Sequence, residues 1–302
     1  MQTQFMSAAE STSIQGWRHY AGPPGFWDEM IDNRGEPRDA SAAVLRNLTG
    51  MGANLLERQK AADLAIRSMG VTFTLYADAG NIDRAWPFDV IPRVISANEW
   101  SVISRGLVQR LTAINLFIAD LYGKQQIVRD GVFPAELLAN SANFRPQCVG
   151  IRPVGDVWAH ICGSDLVRDE DGTMYVLEDN MRVPSGVSYM LANRSVTKRV
   201  FPDMFRDLDI HPVDGYPQQL FELLASLSSR TGEPPTIVVL TPGIYNSAYF
   251  EHCFLAEEMG VHLVEGQDLL VADDDCVYMR TIGGLVRVDV IYRRVDDVFL
   301  DP

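Results

Sequence analysis

The chain has 302 residues, 47% of them apolar, and a formal charge of −14 at neutral pH. That length holds one large domain or two modest ones, with enough apolar side chain for a core. The acidic balance argues against a nucleic-acid binder, which needs a basic stripe, and no window approaches the ~18 uninterrupted apolar residues of a membrane span.

Residues 1–15 lack a basic-then-apolar signal pattern and read as a disordered leader. A helix-rich stretch follows. Residues 41–70 carry Leu45, Leu48, Leu55, Leu64 and Met69 at spacings near three or four, a helical pattern that a glycine pair breaks in two. VTFTLYAD (71–78) reads as a strand, and Pro87 and Pro92 mark an irregular approach to the next helix. That helix, 97–123, is the clearest. Trp100, Ile103, Leu107, Leu111, Ile114 and Ile118 line one face, Ser96 or Asn98 caps its start, and Gly123 ends it.

Residues 146–200 hold a sheet. Within it GSDLVRDEDGTMYVLEDN (163–180) reads as two adjacent strands joined by the turn DEDG, and 184–200 loops into a helix. The character changes from 212 onward. A helix near 216–229 leads to the strand TIVVL (236–240), a helix over 248–260, the strand VHLV (261–264) and a hairpin-like run, 276–294. Strand, glycine turn, helix and strand make a βαβ unit with a parallel pair, a Rossmann-like module. It lacks GxGxxG, so a dinucleotide cofactor is not supported.

The hairpin carries the chemistry. Side chains alternate along a strand, so Glu178 and Asn180 share a face while Asp179 points the other way. With Asp165 from the first strand they offer two carboxylates and an amide oxygen, a set suited to Mg²⁺ carrying nucleotide phosphates. The bland reading is a common turn with a solvated acidic strand end, in which Asp165 caps the turn. Arg182 is a candidate phosphate or carboxylate contact, or a surface partner of Asp179. Ser185 and Gly186 are candidates for presenting backbone N–H groups to an anion, or an ordinary turn. The four cysteines lack CxxC spacing and read as reduced residues of a cytoplasmic protein, with Cys162 a weak candidate nucleophile. The five histidines are too scattered for a metal cluster.

The D-x12-E-x-N hairpin followed by RVPSG (182–186) resembles the metal-binding end of the ATP-grasp fold. The longer run VLEDNMRVPSGVSYMLANR (176–194) is similar to the circularly permuted type 2 ATP-grasp proteins, relatives of glutathionylspermidine synthase and of the eukaryotic type of glutathione synthetase. TFTLYADAG, RAWPFDVIPRVI, DLYGKQQIVRDGVFPAELL, VLTPGIYNSAYFEHCFLAEEMGVHLVEGQDL and VDVIYRRVDDVFLDP agree in order, so the resemblance runs from Gly16 to the last residue.

It implies an α/β fold with a helix-rich region and permuted ATP-grasp-like sheet over 16–211 and a Rossmann-like pre-ATP-grasp module over 212–302. It further implies ATP and Mg²⁺ as cofactors, with small-molecule carboxylate and amine substrates joined through an acyl phosphate. Arg294 of YRR resembles a substrate-contacting arginine, with Arg293 the structural alternative. Gly163 stands where related synthetases carry a phosphate-neutralising arginine, and Arg152, Arg182 or Arg194 are candidates for that role. The family's chain continues past the equivalent of Pro302 with lysines that hold the nucleotide, so the expected identity is the first portion of a ligase. A binding or scaffold relative unable to clamp ATP is the alternative.

Overall fold

The computed structural model describes Tyr20, Gly22 and residues 24–52, 54–75, 82–230, 232–296 and 299–300. The expected leader, 1–15, lies outside them. Two compact units interleave along the chain, one taking Asp28–Val94 and Ser185–Pro302, the other Pro24–Trp27 and Ile95–Pro184. Neither coincides with the expected 16–211 and 212–302 segments.

The first unit opens with α1 (Ala42–Met51) and α2 (Asn54–Ser68), and the break between them falls at Gly52 as the glycine pair predicts. Val44, Leu45 and Leu48 of α1 are buried with Ala62 and Ile66 of α2. Leu64, expected on the apolar face, is exposed instead, because α2 turns its Ala62–Ile66 edge inward. Strands β1 (Thr72–Leu75) and β2 (Ile82–Ala85) pair antiparallel.

The second unit is built on the long helix α3 (Ala97–Leu121), followed by the short helices α4 (Gln126–Arg129) and α5 (Ala135–Ala139). Ser96 Oγ accepts the Glu99 N–H at 3.2 Å, so Ser96 rather than Asn98 is the cap. Ile103, Leu107, Leu111, Ile114 and Ile118 are half-buried, while Trp100 at the head of the same stripe is exposed. By length and composition α3 is long and apolar enough to cross a membrane. Two of the charges that interrupt it are nevertheless engaged within the unit, Glu99 with Arg168 and Arg110 with Asp179. Both partners belong to the hairpin of β3 (Gly163–Arg168) and β4 (Met174–Asn180). Asn115 Oδ1 accepts the N–H groups of Trp158 and Ala159, both at 2.9 Å, and Tyr122 stacks on Trp158 with ring centroids 4.7 Å apart. These contacts fix the irregular segment leading into β3.

The chain re-enters the first unit with α6 (Val187–Val200), α7 (Pro202–Asp207) and α8 (Tyr216–Ser226). Tyr189, Ala192, Val196 and Val200 recur at helical spacing and are buried, so α6 is the inner helix of the larger core, packed on α1 and α2 side chains. Strand β5 (Ile237–Leu240), helix α9 (Tyr249–Met259) and strand β6 (His262–Val264) form the expected parallel unit. β5 is buried along its whole length, as a continuous apolar run in a parallel sheet requires.

The predicted 276–294 hairpin divides. β7 (Leu269–Val271), β8 (Val277–Thr281) and β9 (Gly284–Arg287) form an antiparallel sheet. β10 (Val290–Arg293) leaves it to pair parallel with β5, giving the order β10-β5-β6. Asp289 makes the turn: its buried Oδ2 accepts the Thr236 N–H at 2.7 Å and pairs with Arg230 at 2.9 Å, which pulls the chain beside β5.

Candidate functional site: an acidic hairpin and a buried ion-pair network

In the second unit, Asp165 and Glu178 are direct cross-strand partners and Gly163 faces Asn180. Opposed residues in an antiparallel pair share a face, with Cβ atoms about 4.5–5.5 Å apart. Asp165, Glu178 and Asn180 are all exposed, so the three oxygen-bearing groups stand on one solvent-facing side. The amide nitrogen of Asn180 donates to Glu178 Oε1 at 3.1 Å, leaving the amide oxygen outside that bond. Two carboxylates and an amide oxygen are the hard donors that Mg²⁺ takes when phosphates complete its shell. Among the described residues no three His, Cys, Asp or Glu side chains gather to hold a metal unaided. The hairpin therefore fits a cation delivered with an anionic ligand better than a closed structural site.

The opposite face is internal. Asp179 Oδ1 accepts the Ser164 hydroxyl at 2.7 Å, and Oδ2 accepts Arg110 Nε at 2.6 Å. The Ser164 hydroxyl and then Arg110 hold the Asp179 carboxyl below the usual carboxylate range, against the opposing effect of desolvation. Burial, followed by the Asp179 charge, pushes the Cys162 thiol up, which is the wrong direction for a nucleophilic thiolate. At the turn, Arg168 donates to the Gly172 carbonyl at 2.8 Å and lies over the Trp27 ring. Gly172 sits at φ +88°, and a Cβ there would meet Trp27 carbons at 2.6 Å. A side chain at 172 would displace the indole that covers the turn. Arg182, exposed beyond β4, is followed by Val183 at φ +49°, an uncommon conformation for a β-branched residue.

In the first unit the remaining candidates have different surroundings. Arg294 is buried, and its Nη2 meets Glu251 Oε1 at 2.8 Å while Nη1 donates to the Tyr292 hydroxyl at 3.1 Å. Glu251, itself fully buried on α9, accepts through Oε2 the N–H groups of Gly186 at 2.7 Å and Ser188 at 3.1 Å. A carboxylate of the protein thus occupies the N-terminus of α6, and the Gly186 N–H proposed for an external anion is already engaged. Gly186 adopts φ +119° there, open to glycine and strained for other residues. Ser185 beside it is exposed. Arg194 donates to the His211 carbonyl at 2.7 Å and lies over Phe205, fastening the chain after α7. Next to Glu251, His252 Nδ1 is 2.8 Å from Thr241 Oγ1, and burial, then Arg294, lowers its pKa to about 3. An apolar hollow in this unit, lined by Leu240, Leu269, Leu270, Val277, Ile291 and Arg293, contains none of the expected site residues except the structural alternative Arg293. Glu251 had no sequence signal beyond being a carboxylate in a helix whose neighbours are mostly apolar.

A family profile for circularly permuted ATP-grasp type 2 proteins matches residues 92–302. The chain belongs to that family. An uncharacterised Synechocystis protein is 49% identical over 281 residues, covering 93% of this chain and 58% of its own length. An uncharacterised Mycobacterium tuberculosis protein is 46% identical over 277 residues, covering 91% and 49%. A Frankia casuarinae protein with the provisional name glutamate–cysteine ligase 2-2 is 40% identical over 279 residues, covering 91% and 32%. The chain therefore spans 32% to 58% of the length of these relatives. Among solved structures, a glutathione synthetase-like effector from Globodera pallida aligns with a TM-score of 0.53 at 14% identity, over 82% of this chain and 58% of that one. That likeness concerns the fold, and it agrees with the α/β class expected for an ATP-grasp protein.

Proposed function

We propose that this ATP-grasp chain forms part of an ATP-dependent ligase that joins a small-molecule carboxylate to an amine. In that reaction a substrate carboxylate oxygen attacks the γ-phosphorus of ATP and ADP leaves. The amine then attacks the acyl carbon of the acyl phosphate, forming the amide and releasing phosphate and a proton. The face shared by Asp165, Glu178 and Asn180 is the observation that carries the reading. On it those residues would hold Mg²⁺, which would supply charge neutralisation at the phosphates. Arg182 and Ser185 are the exposed candidates for contacting phosphate or substrate, and residues 212–302 are the pre-ATP-grasp module. The name of the Frankia relative supports a carboxylate–amine ligation in general, with glutamate and cysteine as the first pair to try.

The competing reading, a binding relative that does not turn ATP over, draws on Arg194 and Arg294. Both are committed to contacts inside the protein, and so supply no obvious clamp for phosphates. Titrating Mn·ATP into the protein, followed by the electron paramagnetic resonance of free Mn²⁺, tests the site. The expected result is saturable uptake that Glu178→Gln weakens at least tenfold. Equal uptake by both proteins removes the metal role. Uptake without ADP formation when glutamate and cysteine are supplied favours the binding relative.

A further inference from the structure

We propose that the Ser164–Asp179–Arg110 contact is a register lock, and that Asp179 is a positioning residue for the acidic face; the metal consequence rests on the function proposed above. The β3–β4 ladder is not continuous. On the turn side Leu166 pairs with Val176, Val167 with Tyr175 and Arg168 with Met174. On the far side Asp165 pairs with Glu178, Ser164 with Asp179 and Gly163 with Asn180. The register shifts between Asp165 and Leu166, so Leu177 is an extra residue on β4 with no cross-strand partner.

The turn fixes only its own side. Asp169 N–H donates to the Thr173 carbonyl at 2.9 Å, Thr173 N–H to Asp171 Oδ1 at 2.8 Å, and Arg168 to the Gly172 carbonyl. Continued regularly past Leu166, that pairing would set Asp165 opposite Leu177, Ser164 opposite Glu178 and Gly163 opposite Asp179. Opposed residues share a face, and Ser164 faces inward. The regular register would therefore turn Glu178 and Asn180 inward and Asp179 outward, which dismantles the acidic face.

Something beyond the bulge must select the shifted register. Asp179 does so in two ways. It meets Ser164 only when the two are partners, and it meets Arg110 on α3 only when it points inward. In the regular register Glu178 would take the place opposite Ser164, and Asp179 would lie on the side away from Arg110.

Two measurements on the 302-residue chain test this. In Arg110→Met and Asp179→Ala, hydrogen exchange should accelerate about tenfold or more at residues 163–165 and 178–180. It should stay within about twofold at 166–168 and 174–176. Asp179→Asn, which keeps a partner for Ser164, should fall between these variants and the wild type. Mn·ATP affinity should weaken about tenfold in Arg110→Met and Asp179→Ala. Val176→Ala, which thins packing on the turn side, should leave Mn·ATP affinity within about twofold. Unchanged exchange near Asp165, or equal acceleration on both sides of the bulge, overturns the lock. A Glu178→Gln protein that binds Mn·ATP as the wild type does removes the metal reading, while the exchange pattern still decides the lock.

Discussion

His252 makes the first unit sensitive to acid, by an amount that can be worked out. Its imidazole is buried on α9 against Thr241, and desolvation, with the Arg294 charge, moves its pKa from 6.5 to about 3. In the unfolded chain the ring takes a proton near its ordinary pKa; in the folded protein it stays neutral. Below pH 6.5 the unfolded state thus binds more protons, and stability falls as pH falls until the folded pKa is reached. Between pH 7 and 5 the loss from this one group is about 2 kcal/mol, from roughly one and a half pKa units at about 1.36 kcal/mol each. Native-state hydrogen exchange at Val238 and Val239, buried in β5, reads the opening free energy of the unit that holds His252. His252→Asn keeps a hydrogen-bonding group near Thr241 and removes the titration. The variant should be less stable at pH 7, and its further loss at pH 5 should be clearly smaller than that of the wild type. Equal losses in both proteins would refute the assignment.

Glu251→Ala should cost about 3–5 kcal/mol, since it leaves the Arg294 charge buried and two N–H groups of α6 without their carboxylate. Adding Arg294→Met should restore part of that loss in urea titrations; a double variant no more stable than Glu251→Ala would show that the ion pair is not the cause. Gly172→Ala should destabilise the hairpin by about 1–3 kcal/mol, because φ is +88° and the new Cβ collides with Trp27. Loss of exchange protection confined to residues 166–176 checks it, and an unperturbed hairpin would contradict the geometry. Asp165→Asn in chelator should raise the melting midpoint by ~1–3 °C, since it relieves two like charges on opposed residues. Saturating Mn·ATP should reverse the order of wild type and variant, and a variant that gains as much from Mn·ATP as the wild type would count against Asp165 as a ligand.

Local pattern alone determined much of the architecture. The stripe from Ile103 to Ile118, the alternation of Glu178 and Asn180 and the apolar run of β5 follow from patterns that depend on neighbouring residues only. The family motifs were legible too, because they are contiguous. What the tertiary structure decided are the long-range pairings. Counting back from the DEDG turn sets Asp165 opposite Leu177; only the bulge, stabilised from α3 through Arg110, brings it opposite Glu178. Arg294 looked like a substrate contact and Gly186 like an anion cradle until Glu251, dozens of residues from each, claimed both. A buried charge must find a partner wherever the packed chain supplies one, and that partner's position along the sequence leaves no periodic trace.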